Sequence, residues 1–367
     1  MVIIVSCHHF PDDERIYHKQ IRSLIDAGLS VLYFTRSSSS VNLSDKSLTH
    51  ENFNVNTNVK TFIETVWASM RLKEDIQHVQ IHETDLLPLL KKIKDFFPSV
   101  HTIYDVHENM EALYRTFSKR IKPIKEILIR IRNFNENRYL KYVDRIIIAN
   151  PPMHDEPYRN KPTTIIENFP KIGYLDPLIT NHKKINNSII YHGHLAPERG
   201  IGDLVSAMKH VKSSISSASL TLVGTFRTRQ FKNEIQNLIE ELGLNSSIQH
   251  LDQVPHSEIW HIIKSHSIGV IPFRKTALTE ENTPTKLFEM MICGLEIVIT
   301  KLPPAQYFLD ESAYWSEPND VQSIAKSIID ACNTQGDFTN IQKNKDLIQK
   351  KYNWELKRDD YLALFRA

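Results

Sequence analysis

Short runs of continuous apolar, mostly β-branched residues alternate along this chain with longer stretches whose apolar positions recur every three or four residues. "VIIVS" precedes the helical pattern "DERIYHKQIRSLIDAG", and "SVLYFT" follows. "HVQIHE" precedes "LLPLLKKIKDFF", and "HTIYDVH" and "RIIIAN" complete the first half. Uninterrupted apolar strands of this kind belong to parallel sheets covered by helices on both faces. The alternation breaks at a Pro-, Asn- and Lys-rich stretch and resumes with "IIYHG", "LTLVG", "IQHL", "IGVIPF" and "EIVIT", each but the last leading toward a helical segment. The pattern predicts an α/β protein of two doubly wound, Rossmann-like domains facing a cleft. Residues 1–170 form the first domain, 171–187 the linker, 188–345 the second domain and 346–367 a terminal helix.

Composition narrows this picture without changing it. The chain has 367 residues, enough for two cores. Its Lys+Arg total of 45 against an Asp+Glu total of 43 leaves +2, so no global field argues for nucleic acid. The three cysteines, Cys7, Cys293 and Cys332, are far apart, which suits a reducing cytoplasm and neither a disulfide framework nor a zinc site. "MVIIVSCHHF" has no basic leader region and reads as a first buried strand. Four histidines, His250, His256, His261 and His266, have no compact metal-ligand spacing.

The candidate chemistry is densest in "EENTPTKLFEMMICGLEIVIT", residues 280–300. Thr283 is an expected N-cap, Pro284 fits the first helical position, and Gly294 ends the helix. Glu281 then borders the helix mouth, and Glu289 leans back toward it because helical side chains tilt toward the N-terminus. Free N–H groups, the helix dipole and Lys286 favour phosphate, while two carboxylates favour hydroxyls. A nucleotide sugar carries both. Acids that merely complement the helix dipole would leave the same pattern, and these residues alone do not separate the two readings.

The form "N-x-P-x-K-L-F-E" with Glu-x7-Glu resembles the retaining glycosyltransferases of family four, which have the GT-B fold. "YHGHLAPERGIGDLVSAM" resembles that family's phosphate loop, "IQHLDQVPHSEIWHIIKSHSIGVIPF" its base-binding turn, and "IYDVHENM" its Y-D-x-H-E segment. "HHFPDDERIYHKQIRSLIDAGLSV" is similar to the opening of a subgroup that builds bacterial surface polysaccharides. The resemblance implies that Glu289 holds the nucleotide ribose and Glu281 the donor sugar. It also implies that Arg199 and Lys286 face the diphosphate beside Gly193, His194 and Thr285, and that the backbone near Asp252, Gln253 and Val254 meets the base. His107 would lie near the reacting sugar. His194 stands where many members carry a second arginine, and Gln253 where most have glycine. From the residues alone, Arg199 also suits an ion pair with Glu198, and His107 a strand-end cap.

The implied reaction is retaining glycosyl transfer from a nucleotide diphosphate sugar, UDP in preference to GDP, to a glycan or lipid-linked glycan in O-antigen, capsule or exopolysaccharide synthesis. The last helix would cross back to the first domain. No cofactor beyond the donor and no metal is implied, since Asp-x-Asp is absent from the sequence. A nucleotide-sugar 2-epimerase, a sugar-binding protein and a non-catalytic scaffold remain as alternatives; the absence of GxGxxG and Walker A patterns argues against dehydrogenases and P-loop ATPases. Residues 115–145 carry ten Lys/Arg against three acids, a local excess of +7, interleaved with Ile, Leu and Phe. That stretch suits either an anionic membrane surface or a solvated helix with its apolar stripe turned to the core. The expected location is cytoplasmic, with the stretch peripheral on the inner face of the plasma membrane.

Overall fold

The computed structural model describes residues 1–39, 41, 43–107, 109–150, 158, 160–172, 184–254, 256–334 and 336–366. The chain divides into two compact units, Met1–Asn168 with Trp354–Ala367, and Phe169–Asn353. Of the linker expected over 171–187, residues 173–183 lie outside the described residues.

Among the described residues, the first unit holds seven parallel strands: β1 Val2–Ser6, β2 Val31–Arg36, β3 Leu48–Phe53, β4 His78–Ile81, β5 His101–Val106, β6 Arg145–Ile148 and β7 Thr163–Ile165. Their order is β3-β2-β1-β4-β5-β6-β7, so the winding reverses beside β1. All five residues of β1 are buried. Ile3 and Val5 enter one apolar core and Val2 and Ile4 another, because alternate residues face opposite sides of the sheet. Trp354, Tyr361, Leu364 and Phe365 of the terminal segment belong to the second of these cores.

The helix after β1 has an uncommon start. Asp13 caps it through the amides of Arg15 and Ile16, and Glu14–Ile21 is π-helical before the α-helix Arg22–Asp26 continues. A π-turn brings residues about five apart onto one face. Arg15 and Gln20 are such a pair, and both bond the buried Asp105 at the end of β5.

The second unit holds six parallel strands among its described residues: β8 Ser188–His192, β9 Ser219–Val223, β10 Ile248–Leu251, β11 Ile268–Ile271, β12 Glu296–Thr300 and β13 Tyr314–Ser316. Their order, β10-β9-β8-β11-β12-β13, reverses between β8 and β11. The expected terminal helix is two. Thr339–Lys350 belongs to the second unit and Trp354–Ala363 to the first. Asn353 causes the break: its amide donates to the carbonyls of Ile348 and Gln349, satisfying the first helix's end while the chain turns.

Candidate active site

Parallel strands end at one edge of their sheet, and ligands of such folds bind outside that edge where the winding reverses. In the second unit the loops after β8 and β9 press together there. Gly193 and Gly224 both have positive φ, 107° and 133°. A Cβ on Gly224 would lie 2.2 Å from the Gly193 carbonyl, so no larger residue fits. A Cβ on Gly193 would meet Cε and Nζ of Lys286 at 3.2 and 3.3 Å. Lys286 therefore lies directly over the glycine backbone. Gly200, also at positive φ, packs so closely against Pro272 after β11 that a Cβ would be 1.7 Å from its carbonyl oxygen. That contact sets the turn bearing Arg199 beside Phe273.

Charges gather on this scaffold. The Arg199 guanidinium is 4.5 Å from the centroid of the Phe273 ring, and the Lys286 ammonium is 4.9 Å from the same ring and 5.1 Å from that of Tyr191. Cation–π attraction holds both without neutralising either. Arg227, from the loop after β9, approaches Glu198 to 2.5 Å, whereas Arg199 stays 3.9 Å from the same oxygen. Glu198 thus pairs chiefly with Arg227. Glu289 comes within 3.5 Å of His192 and offsets part of the positive charge on Lys286. Burial and Arg199 together pull Lys286 down to about 7. Partial burial and the neighbouring cations hold His194 below the usual histidine value, which makes it a neutral hydrogen-bonding group.

The helix that carries Lys286 and Glu289 starts later than the Thr-Pro pair implies. It spans Lys286–Ile292, with Thr285 in the cap position and no side-chain cap bond. Leu287 and Phe288 donate to the carbonyls of Pro284 and Thr285, so the entry is a tight turn and not a capped α-helical mouth. Glu281 sits before it in a half-buried turn whose amides bond Leu278. Gln253 reaches Thr225 at 3.4 Å, while Asp252 is mostly exposed and Val254 packs on the core.

The corresponding edge of the first unit is crowded with histidines. His107 Nε2 and His82 Nδ1 are 2.9 Å apart, and both face Asp105 Oδ2, at 3.3 and 3.5 Å. His9 donates from Nδ1 to Glu83, 2.8 Å away, and its ring lies 4.7 Å from that of His107. Burial alone would lower His9, but the Glu83 bond outweighs it and the value rises. Burial drives His82 down to about 3. His82, Asp105 and His107 offer three ligand atoms within 4.8 Å, the spread of a metal site. The fit is poor. Two nitrogens on one tetrahedral zinc are roughly 3.3 Å apart given Zn–N near 2.05 Å, and here they are at hydrogen-bond distance. Asp105 also spends both oxygens on Arg15 and Gln20.

Comparison with known proteins bears on the second unit. Residues 178–354 match the model of a family described as glycosyl transferases group 1. That stretch, just under half of the chain, resembles a glycosyl transferases group 1 domain. Solved structures resemble the whole chain: sucrose-phosphate synthase from Thermosynechococcus elongatus (18% identity, TM-score 0.76, covering 100% of this chain and 98% of that one), and Anabaena HepE in complex with UDP and glucose (15%, 0.75, 99% and 98%). A trehalose-6-phosphate protein from E. coli bound with UDP-2-fluoro glucose is similar too (12%, 0.72, 100% and 99%). At these identities the likeness establishes the fold, which is GT-B. No curated protein matches the sequence.

Within the matched stretch the structure brings Gly193, His194, Arg199, Lys286 and Glu289 together. Asp252, Gln253 and Val254 lie two strands away along the same edge, and His107 belongs to the other unit. Sequence reasoning missed Arg227 and Phe273 in this stretch. The available signal was position alone: Arg227 follows the strand-end Gly224 by three residues, and Phe273 follows the last residue of β11 by two. It also missed the neighbours of His107 in the first unit, which no spacing rule connects.

Proposed function

We propose that the protein transfers a glycosyl residue from a nucleotide diphosphate sugar, UDP in preference to GDP, to a glycan or lipid-linked glycan acceptor of a bacterial surface polysaccharide. The observation that carries this is the set of cations, Arg199, Lys286 and Arg227, gathered over the Gly193–Gly224 contact at the winding reversal of the second unit. Two of them, Arg199 and Lys286, are held on a ring, and Lys286, lowered to about 7, takes up its proton fully as a diphosphate binds. Glu289 would bind ribose, Glu281 the sugar hydroxyls, the backbone of Asp252, Gln253 and Val254 the base, and Thr285 and His194 the phosphates.

Transfer proceeds with retention. The bond from the anomeric carbon to the diphosphate oxygen breaks while the acceptor oxygen bonds to the same face, and the acceptor proton passes to the departing phosphate oxygen. Arg199 and Lys286 stabilise the charge that develops there. No metal is required for that role. The test is turnover of UDP-glucose and related donors with and without excess chelator, with the product anomer read by NMR. Turnover abolished by chelator would refute the metal-free step, an inverted product would refute retention, and no binding of any nucleotide sugar would refute the whole reading. Glu289→Ala is expected to weaken UDP binding by at least tenfold, and unchanged affinity would remove Glu289 from the site.

A lipid-linked acceptor is favoured by the helix Lys122–Leu140. Ile121 at its cap, then Ile124, Ile127, Ile131 and Phe134, form one stripe at helical spacing, and all five are exposed. The stripe does not face the core, which takes only Ile129, Glu136 and Leu140 of this helix. Among the described residues no helix is long and apolar enough to cross a membrane. Basic residues flanking an exposed apolar stripe suit the surface of an anionic bilayer.

A further inference from the structure

The histidines at the first unit's sheet edge form part of a longer chain of hydrogen bonds whose directions can be worked out from its fixed end. Asp105 is fully buried. Burial alone would raise it, but Arg15 beside it holds it well below the usual carboxylate range, so it accepts and does not donate. Gln20 therefore points its amide nitrogen at Asp105, 2.6 Å away, which leaves its oxygen facing Gln80. Gln80 must answer with its own amide nitrogen, at 2.9 Å, and its oxygen then accepts from the Tyr361 hydroxyl, also at 2.9 Å. The same Gln80 nitrogen lies 3.2 Å from His82 Nε2. An amide nitrogen only donates, so His82 Nε2 is an acceptor and the His82 proton is on Nδ1. That proton faces His107 Nε2 at 2.9 Å. Asp105 Oδ2, 3.3 Å from His107 Nε2, already accepts from Arg15 and Gln20, so the shorter contact to His82 sets the direction, and a hydrogen on His107 Nε2 as well would set two protons against each other.

We propose that Gln20, Gln80, His82 and Tyr361 are positioning residues that hold His107 as the neutral tautomer with its proton on Nδ1, so that it offers a hydrogen-bond donor, and not a base, to an oxygen of a bound sugar. The ring is 14% exposed, and among the described residues Nδ1 has no hydrogen-bond partner. Every member of the relay apart from His107 is buried, so water does not compete for these bonds. The π-helical turn is what lets Arg15 and Gln20 reach Asp105 together, and the terminal helix supplies Tyr361. The identity of the ligand rests on the glycosyl-transfer reading; the tautomer does not.

Long-range 15N–1H NMR of histidine-labelled protein at pH 7.5, without ligand, tests the relay directly. His107 is expected to show a pyrrole-type Nδ1 and a pyridine-type Nε2. Gln80→Glu replaces the donor facing His82 by an acceptor, so both rings should invert and His107 should become the Nε2–H form. If that variant does not fold, Gln80→Met removes the constraint, and His107 should show averaged, mixed shifts. A wild-type His107 that is doubly protonated or Nε2-protonated would overturn the proposal, as would unchanged tautomers in a folded variant. Stoichiometric zinc binding that shifts both rings would overturn it in favour of a metal site. Should the tautomer be as derived while no nucleotide sugar binds, the relay stands and the proposed reaction fails. Should sugar bind and turn over in the active enzyme, Gln80→Met is expected to raise KM with little change in kcat, whereas a general-base role would lower kcat.

Discussion

Lys286 makes donor binding depend on pH in a way that can be worked through quantitatively. Burial and Arg199 lower its value to about 7, from 10.5 for an ordinary lysine. Half of the Lys286 side chains are then charged at pH 7, and about one in a hundred at pH 9. A diphosphate binds the charged form, and binding restores the proton, so the affinity follows the charged fraction until the value in the complex is reached. Between pH 7 and 9 the dissociation constant of a UDP-sugar should rise by about 50-fold, or about 2.3 kcal/mol. The diphosphate of a nucleotide sugar has no ionisation in this range, and the uracil imide only begins to lose its proton at the upper end, so an effect of this size belongs to the protein. Isothermal titration calorimetry in two buffers of different ionisation enthalpy measures both the affinity and the proton taken up. Lys286→Arg keeps its charge throughout, and its affinity should be flat. A wild-type affinity that is flat from pH 7 to 9, with no proton uptake, would refute the placement of Lys286 against the diphosphate.

Other outcomes follow from packing. Gly28 and Gly200 both have positive φ, but only at Gly200 would a Cβ meet backbone; Gly28→Ala should cost on the order of 1–2 kcal/mol, Gly200→Ala clearly more, as compared by thermal melts. Trp354 is buried, and its indole N–H donates to Ser23 at 3.1 Å; Trp354→Ala should cost ~3–5 kcal/mol and raise hydrogen exchange across Trp354–Ala363, and unchanged protection there would contradict the docking of that helix. Ile127→Ser with Ile131→Ser, at exposed positions, should leave stability within about 0.5 kcal/mol yet reduce co-sedimentation with phosphatidylglycerol vesicles; unchanged co-sedimentation would exclude the stripe as the contact.

Strands that are buried on both faces were legible because their central positions are continuously apolar, as in "VIIVS" and "EIVIT". The edge strand β3, "LTHENF", was not, because one side of it meets solvent and its polar residues hide the period. The Arg199–Lys286–Glu289 grouping was legible through motif resemblance. Its electrostatics were not, since the Phe273 ring and the Arg227–Glu198 pair arise from loops that only tertiary packing joins. The N-cap expected at Thr283 failed because the turn before the helix is set by the Pro284 carbonyl bonding Leu287. The histidine relay joins residues from positions 20, 80, 82, 105, 107 and 361, and a single sequence carries no signal for a contact spanning 281 residues.

The first sheet's core includes Trp354 and Tyr361, which lie beyond the whole second unit in the chain. During synthesis the first sheet therefore lacks part of the cover of one face until the residues beyond the second unit have been made. The later-made half has all its parts sooner and is free to finish first. A released chain truncated just before Trp354 would carry a completed second half tethered to an unfinished, chaperone-accessible first.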